Sequence, residues 1–234
     1  EQLCAIPHGS GNTKEISDHL VLFAAEHHLR CIQDAHNNVI LFAPGTPGYE
    51  SAAPVILQGH MDMVCETAPD CTKDMAREGL DLFVDGDTIG ARGTTLGGDD
   101  GIAVAMALAI LDADDIPHPP LEVVITVDEE TGLTGAFGLG EGMLTGKYLI
   151  NLDSEDEGEL FIGCAGGIDT IATFHCTMEP APKNYAFFRV DVSDLLGGHS
   201  GDDIDKGRVN SNKTVARLLW DGMQSCELRL SYFN

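Results

Sequence analysis

The stretch that decides the fold is Pro54-Val-Ile-Leu-Gln58, a short apolar run that leads directly into Gly59-His60-Met61-Asp62. Its length and its β-branched residues predict a buried strand. Leu121-Glu-Val-Val-Ile-Thr-Val127 and Lys147-Tyr-Leu-Ile-Asn-Leu152 have the same character. The sequence therefore predicts three buried strands.

A helix is predicted between the first and second of these strands. Thr94-Thr-Leu-Gly-Gly-Asp-Asp-Gly101 is a Gly-rich turn, and Ile102-Ala-Val-Ala-Met-Ala-Leu-Ala-Ile-Leu111 after it is an Ala-rich run that is apolar nearly all round. Pro117, Pro119 and Pro120 prevent the helix from continuing. The order strand, helix, strand, strand predicts an α/β fold, with a sheet flanked by helices and ligands gathered at the carboxyl ends of its strands.

The rest of the chain divides into two regions. An opening helix after Asn12-Thr-Lys-Glu15 and a hairpin at Asn37-Asn38 belong to the first region. Beyond Gly163-Cys-Ala-Gly-Gly167 the texture changes, with β-rich segments predicted at 168–176, 185–192 and 227–232 and a helix at 212–223. We expect a boundary near Gly166, and hence domains at 1–166 and 167–234.

The ends of the sequence suggest that the natural protein is longer. The first residue is Glu1 and not Met, and the segment predicted as a strand at 227–232 lies almost at the last residue. We therefore expect chain to be missing at both ends.

Composition and charge exclude several classes of function. The 38 acidic and 13 basic residues give a formal charge of -25, which would repel a phosphate backbone, so nucleic acid is not an expected partner. The seven cysteines are scattered without any CxxC pair and resemble reduced thiols. No apolar run approaches the length of about 20 residues that a membrane span needs. A cytoplasmic protein without membrane contact is expected.

Potential metal ligands follow each buried strand and occupy the Gly-rich turn; they are His60, Asp62, Asp99, Asp100, Glu129, Glu130 and Asp153. Each has an ordinary explanation by itself: a surface His–Asp pair, an acidic helix cap, a solvated loop or an Asx turn. Together they favour a metal site, because three successive strands end in such groups. Imidazole and carboxylates without thiolates suit Zn²⁺, Mn²⁺ or Co²⁺, and five or more ligands suggest two ions that share a bridging carboxylate.

These motifs resemble those of the M20 metallopeptidases, and within them the aminoacyl-histidine (Xaa-His) dipeptidase branch. The resemblance extends in order along the chain through Gly59-His-Met-Asp62, Gly93-Thr-Thr-Leu-Gly-Gly-Asp-Asp-Gly101, Asp128-Glu-Glu-Thr-Gly132, Asn151-Leu-Asp-Ser-Glu155, Gly163-Cys-Ala-Gly-Gly167 and Gly197-Gly-His-Ser-Gly201. It implies a zinc exopeptidase-like catalytic domain with a mixed sheet, followed by the start of an α+β lid domain.

The resemblance also implies a role for each site residue. Asp99 would bridge two zinc ions, with His60 and Asp153 completing one ion and Glu130 binding the other. Glu129 would act as general base and Asp62 would orient His60. The Asp99–Asp100 peptide would be cis, and His199, in the lid domain, would donate to the developing oxyanion.

The chain departs from the family pattern in one respect. The family's last metal ligand is a histidine close to the C-terminus, in a stretch that this sequence does not contain, so the second metal site is expected to be incomplete. The substrate implied is a small peptide, a dipeptide with a C-terminal histidine, and a homodimer is a further expectation.

Three other hypotheses compete with this one. An N-acyl amino acid deacylase would use the same fold and chemistry with a different pocket. An inactive fragment would bind a single metal ion or none. A non-enzymatic acidic binding protein would hold no stoichiometric transition metal.

Overall fold

The computed structural model describes residues 1–154, 158–164, 166–168, 170–198, 203 and 205–233. The chain divides into two compact units, Glu1–Glu159 and Leu160–Asn234. This division lies a few residues before Gly166, where the change in sequence texture placed the boundary. Each unit is described separately below.

The first unit is built on a five-stranded sheet with the order β1-β2-β6-β3-β7. The strands of this sheet are β1 (Arg30–Gln33), β2 (Val39–Ala43), β3 (Val55–His60), β6 (Leu121–Thr126) and β7 (Tyr148–Asn151). β3 pairs in parallel with both β6 and β7, whereas β2 is antiparallel to β1 and β6. The sheet is therefore mixed, as predicted. Because β3, β6 and β7 run in parallel, their carboxyl ends meet at one edge of the sheet.

Helices cover one face of this sheet. α1 (Lys14–Glu26) and α2 (Gly98–Asp112) contribute Ile16, Leu20, Ala24, Val104 and Ala107 to the larger apolar core, which includes alternate residues of β2, β3 and β6. The opposite face carries a smaller core of Ile40, Ile56 and Val124, covered by the segment 139–144 that follows α3 (Thr134–Gly138). β6 is buried along its whole length because both of its faces are covered.

The three predicted strands, the predicted Ala-rich helix, the opening helix and the Asn37-Asn38 hairpin are all confirmed. The prediction that all three strands are buried was wrong for β7, which is exposed along its length because it lies at the edge of the sheet. A second, two-stranded sheet was not predicted; it consists of β4 (Leu82–Asp85) and β5 (Thr88–Ala91). The loop between β4 and β5 is Gly86-Asp87, a dipeptide typical of two-residue hairpin turns, so this hairpin could have been predicted from the sequence.

The second unit has a different character. Its helix α4 (Ser211–Ser225) confirms the prediction at 212–223, and Asn210 caps it by accepting the backbone N–H of Lys213 at 2.9 Å. The strands predicted at 168–176, 185–192 and 227–232 are absent from the described residues of these segments. The composition of these segments favours strands, but composition alone does not form a strand, because a strand is stable only when a neighbouring strand pairs with it.

Among the described residues, no helix combines the length and apolar character needed to cross a membrane.

Candidate metal centre

His60 ends β3 and lies at the centre of the site. Its side chain is 1% exposed, and Asp62, two residues further on, is equally buried. The Nδ1 atom of His60 lies 2.9 Å from the carbonyl oxygen of Asp62 and 3.3 Å from Asp62 Oδ1. Both neighbours are hydrogen-bond acceptors, so Nδ1 carries a proton. The other ring nitrogen, Nε2, is therefore the one available to a metal ion.

Asp62 is held from three sides. Its Oδ1 accepts the backbone N–H of Glu129 at 3.1 Å, and its Oδ2 accepts the hydroxyl of Ser10 at 2.8 Å. These hydrogen bonds and the ring of His60 lower the pKa of Asp62, although burial acts in the opposite direction as the largest single effect. Asp62 is thus a buried, ionised carboxylate that orients the imidazole.

The Gly-rich turn supplies two carboxylates with different surroundings. Gly97 adopts a positive φ of 67°, and the Asp99–Asp100 peptide is cis, as the family resemblance implied. Neither Asp99 nor Asp100 has helical backbone angles, although both lie within the span of α2. The turn leaves the Asp99 side chain half exposed and Asp100 buried.

Asp100 does not act as the helix cap that its position before an Ala-rich helix suggests. Its Oδ2 accepts the backbone N–H of His60 at 3.1 Å, across the contact between α2 and β3. Gly59 permits this contact, because a Cβ at that position would collide with Asp100 Oδ2 and would lie 2.8 Å from the Cβ of Ala103. Burial raises the pKa of Asp100 to about 7, more than its hydrogen bond with His60 lowers it.

The end of β6 brings Glu129 and Glu130 to the same edge. Asp128 takes a positive φ of 55°, and its Oδ1 accepts the backbone N–H of Gly11 at 2.6 Å. Burial and the nearby charge of Asp99 raise the pKa of Glu130. The charge of Glu129 contributes to that rise and also to the raised pKa of Asp153. Glu129 therefore lies close enough to both carboxylates to affect their protonation.

β7 positions Asp153. The Nδ2 of Asn151 donates to Gln58 Oε1 at 2.6 Å, and the Oδ1 of Asn151 accepts the backbone N–H of Asp153 at 3.2 Å. This arrangement fixes the turn after β7 against β3. Burial first, and then the charge of Asp99, raise the pKa of Asp153 to about 6, although the charge of His60 lowers it.

These groups converge on Nε2 of His60. Asp99 Oδ1 lies 3.2 Å from this atom and Asp153 Oδ1 lies 3.9 Å from it. Potential ligand atoms within 4.8 Å of one another form two groups that share His60: one with Asp99 and Glu130, and one with Asp100 and Asp153. Because Nε2 of His60 can bind only one ion, one group or the other could hold a divalent cation through this histidine, but not both at once.

The charges of the site fit a cation. Burial lowers the pKa of His60, but the carboxylates of Asp62, Asp153 and Asp100 together raise it to about 10. Burial is the largest cause of the raised pKa values of Asp100, Glu130 and Asp153, and the charges of neighbouring carboxylates add to it, so the site concentrates an excess of negative charge. A divalent ion would replace the proton of Nε2 and neutralise that excess.

The structure brings together all seven potential ligands named in the sequence: His60, Asp62, Asp99, Asp100, Glu129, Glu130 and Asp153. Asp100 was underrated, since sequence alone favoured a cap. Ser10 was missed altogether. His199 lies outside the described residues, and neither group of potential ligands among the described residues contains a second histidine.

The fold and the site define the class of the protein: an α/β protein with a candidate divalent-metal centre at the carboxyl edge of parallel strands. The sequence profile of peptidase family M20/M25/M40 matches residues 56–214. The chain belongs to this family, as its motifs predicted.

Individual relatives agree with this assignment. The chain is 40% identical over 233 residues to the cytosol non-specific dipeptidase of Escherichia coli, covering 100% of this chain and 48% of the relative. It superposes on aminoacylhistidine dipeptidase from Vibrio alginolyticus with a TM-score of 0.69 and 37% identity, covering 98% of this chain and 47% of that one. Aminopeptidase PepT from Bacillus cereus gives a TM-score of 0.55 at 27% identity, over 66% of this chain and 42% of PepT. The chain thus spans about half the length of these relatives.

Proposed function

We propose that the protein is a metal-dependent dipeptidase that hydrolyses Xaa-His dipeptides such as β-alanyl-histidine. The observation that carries this proposal is the convergence of carboxylates on Nε2 of the buried His60, with Asp99 Oδ1 at 3.2 Å and Asp153 Oδ1 at 3.9 Å. The names of the relatives from E. coli and V. alginolyticus support the choice of dipeptides, and the second supports a histidine in the substrate. The first name also supports a cytosolic location.

The residues proposed to hold metal are His60, Asp99, Asp153 and Glu130. Asp99 would be shared by two ions, with His60 and Asp153 completing one site and Glu130 belonging to the other. Zn²⁺ is the ion best suited to this set, and Mn²⁺ or Co²⁺ would also fit. The second site has fewer protein ligands among the described residues, so we propose that this chain binds one ion tightly.

A bound divalent ion would supply Lewis-acid chemistry by lowering the pKa of water and polarising the peptide carbonyl. Glu129 would accept a proton from the attacking water as the water oxygen bonds to the carbonyl carbon. The carbon–nitrogen bond then breaks, and Glu129 returns the proton to the leaving amine. Asp62 keeps His60 in one orientation throughout, and His199 would donate a hydrogen bond to the developing oxyanion.

The test is an assay for free histidine released from β-alanyl-histidine and Gly-His by the zinc-loaded protein. We expect histidine release that a chelator abolishes and zinc restores. Release of acetate or succinate from N-acyl amino acids, without histidine release, would instead identify a deacylase.

Variants separate the proposed roles. Glu129→Gln should keep zinc binding and lose turnover, whereas His199→Ala should keep zinc and lower kcat by about 10²–10³-fold, the usual cost of one oxyanion donor. Normal turnover in Glu129→Gln would contradict the assignment of the general base.

Metal analysis of this chain after dialysis addresses its own binding capacity. One zinc ion per chain is expected. Two tightly bound ions would contradict the incomplete second site, and none would favour an inactive fragment or an acidic binding protein.

A further inference from the structure

We propose that Ser10 is a positioning residue for the metal centre: its hydroxyl fixes the carboxylate of Asp62, which in turn fixes the ring of His60. This inference rests on the proposed function, because the site is taken to bind a metal ion. No motif in the sequence marks Ser10, which lies 52 residues before its partner.

The contacts of Asp62 show why a hydroxyl matters at this point. Ser10 Oγ donates to Asp62 Oδ2 at 2.8 Å, while Oδ1 accepts the N–H of Glu129 and faces Nδ1 of His60. Oδ2 of Asp62 is therefore held by Ser10, whereas Oδ1 is held by Glu129 and contacts His60. A buried carboxylate oxygen that loses its donor is costly, and the group would rotate or shift to find another one. Either movement would disturb the contact with His60.

The backbone around Ser10 is fixed against the segment that follows β3. The carbonyl oxygen of His8 accepts the N–H of Met63 at 3.2 Å, and Gly9 forms a parallel bridge with Met63. A Cβ at Gly9 would lie 2.6 Å from the Sγ of Cys65, so only glycine allows this approach without a shift. The hydroxyl of Ser10 is consequently delivered to Asp62 by a firmly attached loop.

The next residue strengthens the same connection. Gly11 donates its backbone N–H to Asp128 Oδ1 at 2.6 Å, and Asp128 immediately precedes Glu129. Two successive residues of the N-terminal loop thus contact the carboxylates that follow β3 and β6. The loop therefore fixes the segments that follow β3 and β6 relative to each other.

Three variants test the role of the hydroxyl. Ser10→Ala removes it, and Ser10→Thr retains it. Ser17→Ala is the matched control, because Ser17 is also in the first unit and buries a hydroxyl, which donates to the carbonyl oxygen of Asn37 at 2.7 Å and does not contact the site. Thermal unfolding of all three shows whether each one folds.

The first measurement uses the metal-free chain. A ¹H–¹⁵N spectrum of the histidine rings reports the Nδ1–H of His60, assigned by its loss in His60→Gln. We expect this resonance to shift or broaden in Ser10→Ala and to stay near its original position in Ser10→Thr and Ser17→Ala. A purely structural contribution of Ser10 to stability would not single out this ring proton.

The second measurement is zinc affinity, determined by competition with a chromophoric chelator. Ser10→Ala should bind zinc about tenfold more weakly, at the low end of the 10–100-fold loss typical of residues that support metal ligands. Ser10→Thr should recover most of the affinity, and Ser17→Ala should match the original protein.

The outcomes separate the two proposals. Ser10→Ala with an unchanged ring resonance and unchanged zinc affinity would overturn the role of Ser10. Should Ser10→Ala fail to fold, Ser10→Cys, with a weaker donor, provides the same comparison and the same overturning result. A parent protein that bound no zinc would contradict the proposed function, while the ring resonance of the metal-free chain would still decide the role of Ser10.

Discussion

The two units of the chain contain similar apolar sequences but use them differently. In Glu1–Glu159, Leu41 is 0% exposed and lies between paired strands and helices. In Leu160–Asn234, Leu160 is 97% exposed, and none of the described residues of this unit is buried. Apolar residues of the same type contribute to a core in one unit and remain in contact with solvent in the other.

We infer from this difference that the candidate metal centre depends on the packing of the first unit. His60, Asp62 and Asp100 can be held at fixed positions because the strands and helix that carry them are buried against one another. Exposed segments without paired strands cannot hold carboxylates at such short separations against their mutual repulsion. We therefore expect stability and metal binding to depend on the first unit.

The largest effect is expected for a truncation in the core. Leu41→Ala should lower the free energy of unfolding by about 2–5 kcal/mol, because it removes buried methyl groups and leaves a cavity. Leu160→Ala, the matched change in the second unit, should alter it by less than about 0.5 kcal/mol. Urea denaturation of both variants makes the comparison, and equal losses would show that the second unit has a core as well.

The next effect concerns the metal centre. His60→Ala should weaken zinc binding by at least about 100-fold, since loss of a residue that merely supports a ligand costs 10–100-fold. His175→Ala replaces an exposed histidine of the second unit and should leave the affinity unchanged. Competition with a chelator measures both variants. A similar loss in each would mean that zinc binds to surface histidines and not to the strand ends.

A smaller, graded effect is expected from pH. The pKa of His60 is raised to about 10, that of Asp100 to about 7 and that of Asp153 to about 6, so below each value the metal-free group holds a proton. His60 and Asp153 are proposed ligands, so a metal ion must displace their protons, and zinc affinity should fall as the pH decreases, by about tenfold per pH unit for each proton displaced.

Calorimetry in buffers of different ionisation enthalpy counts the protons released. At least one proton per zinc ion is expected at pH 7, and more at pH 5.5. Binding without proton release, at an affinity that does not vary between these values, would contradict the ligand set.

The smallest effect concerns α4 of the second unit. Asn210→Ala removes the cap and should destabilise this helix by about 1 kcal/mol. Asn212→Ala, within the first turn, removes no cap hydrogen bond and serves as control. Hydrogen exchange of the α4 amides should accelerate in the first variant alone, while exchange in β3 and β6 stays unchanged. Faster exchange in those strands would contradict the expectation that the effect of the cap is confined to α4.

Most of the first unit could be predicted from local sequence. The apolar runs of β3 and β6 predict buried strands, and Pro117 indicates a point beyond which α2 cannot continue. The predicted strands of the second unit were wrong because side-chain preference shows only that a segment is compatible with a strand. The presence of a pairing neighbour is a long-range property that no local pattern contains.

For the candidate metal centre too, local sequence predicts only part of the arrangement. His60, Glu130 and Asp153 could be found because each lies at or shortly after the end of a predicted strand. The burial of Asp100 depends on the close approach of α2 to Gly59, and the hydrogen bond from Ser10 to Asp62 joins residues far apart in the chain. Local sequence identified the ligand candidates, whereas their supporting contacts appeared only once the chain was folded.

The strand ends around His60 form the proposed metal centre. Crystals of the zinc-loaded protein, measured on both sides of the zinc absorption edge, test it directly through anomalous difference density. We expect a peak at about 2.0–2.2 Å from Nε2 of His60 and from carboxylate oxygens of Asp99 and Asp153, the distances usual for zinc. A zinc peak elsewhere, with none beside His60, would contradict it.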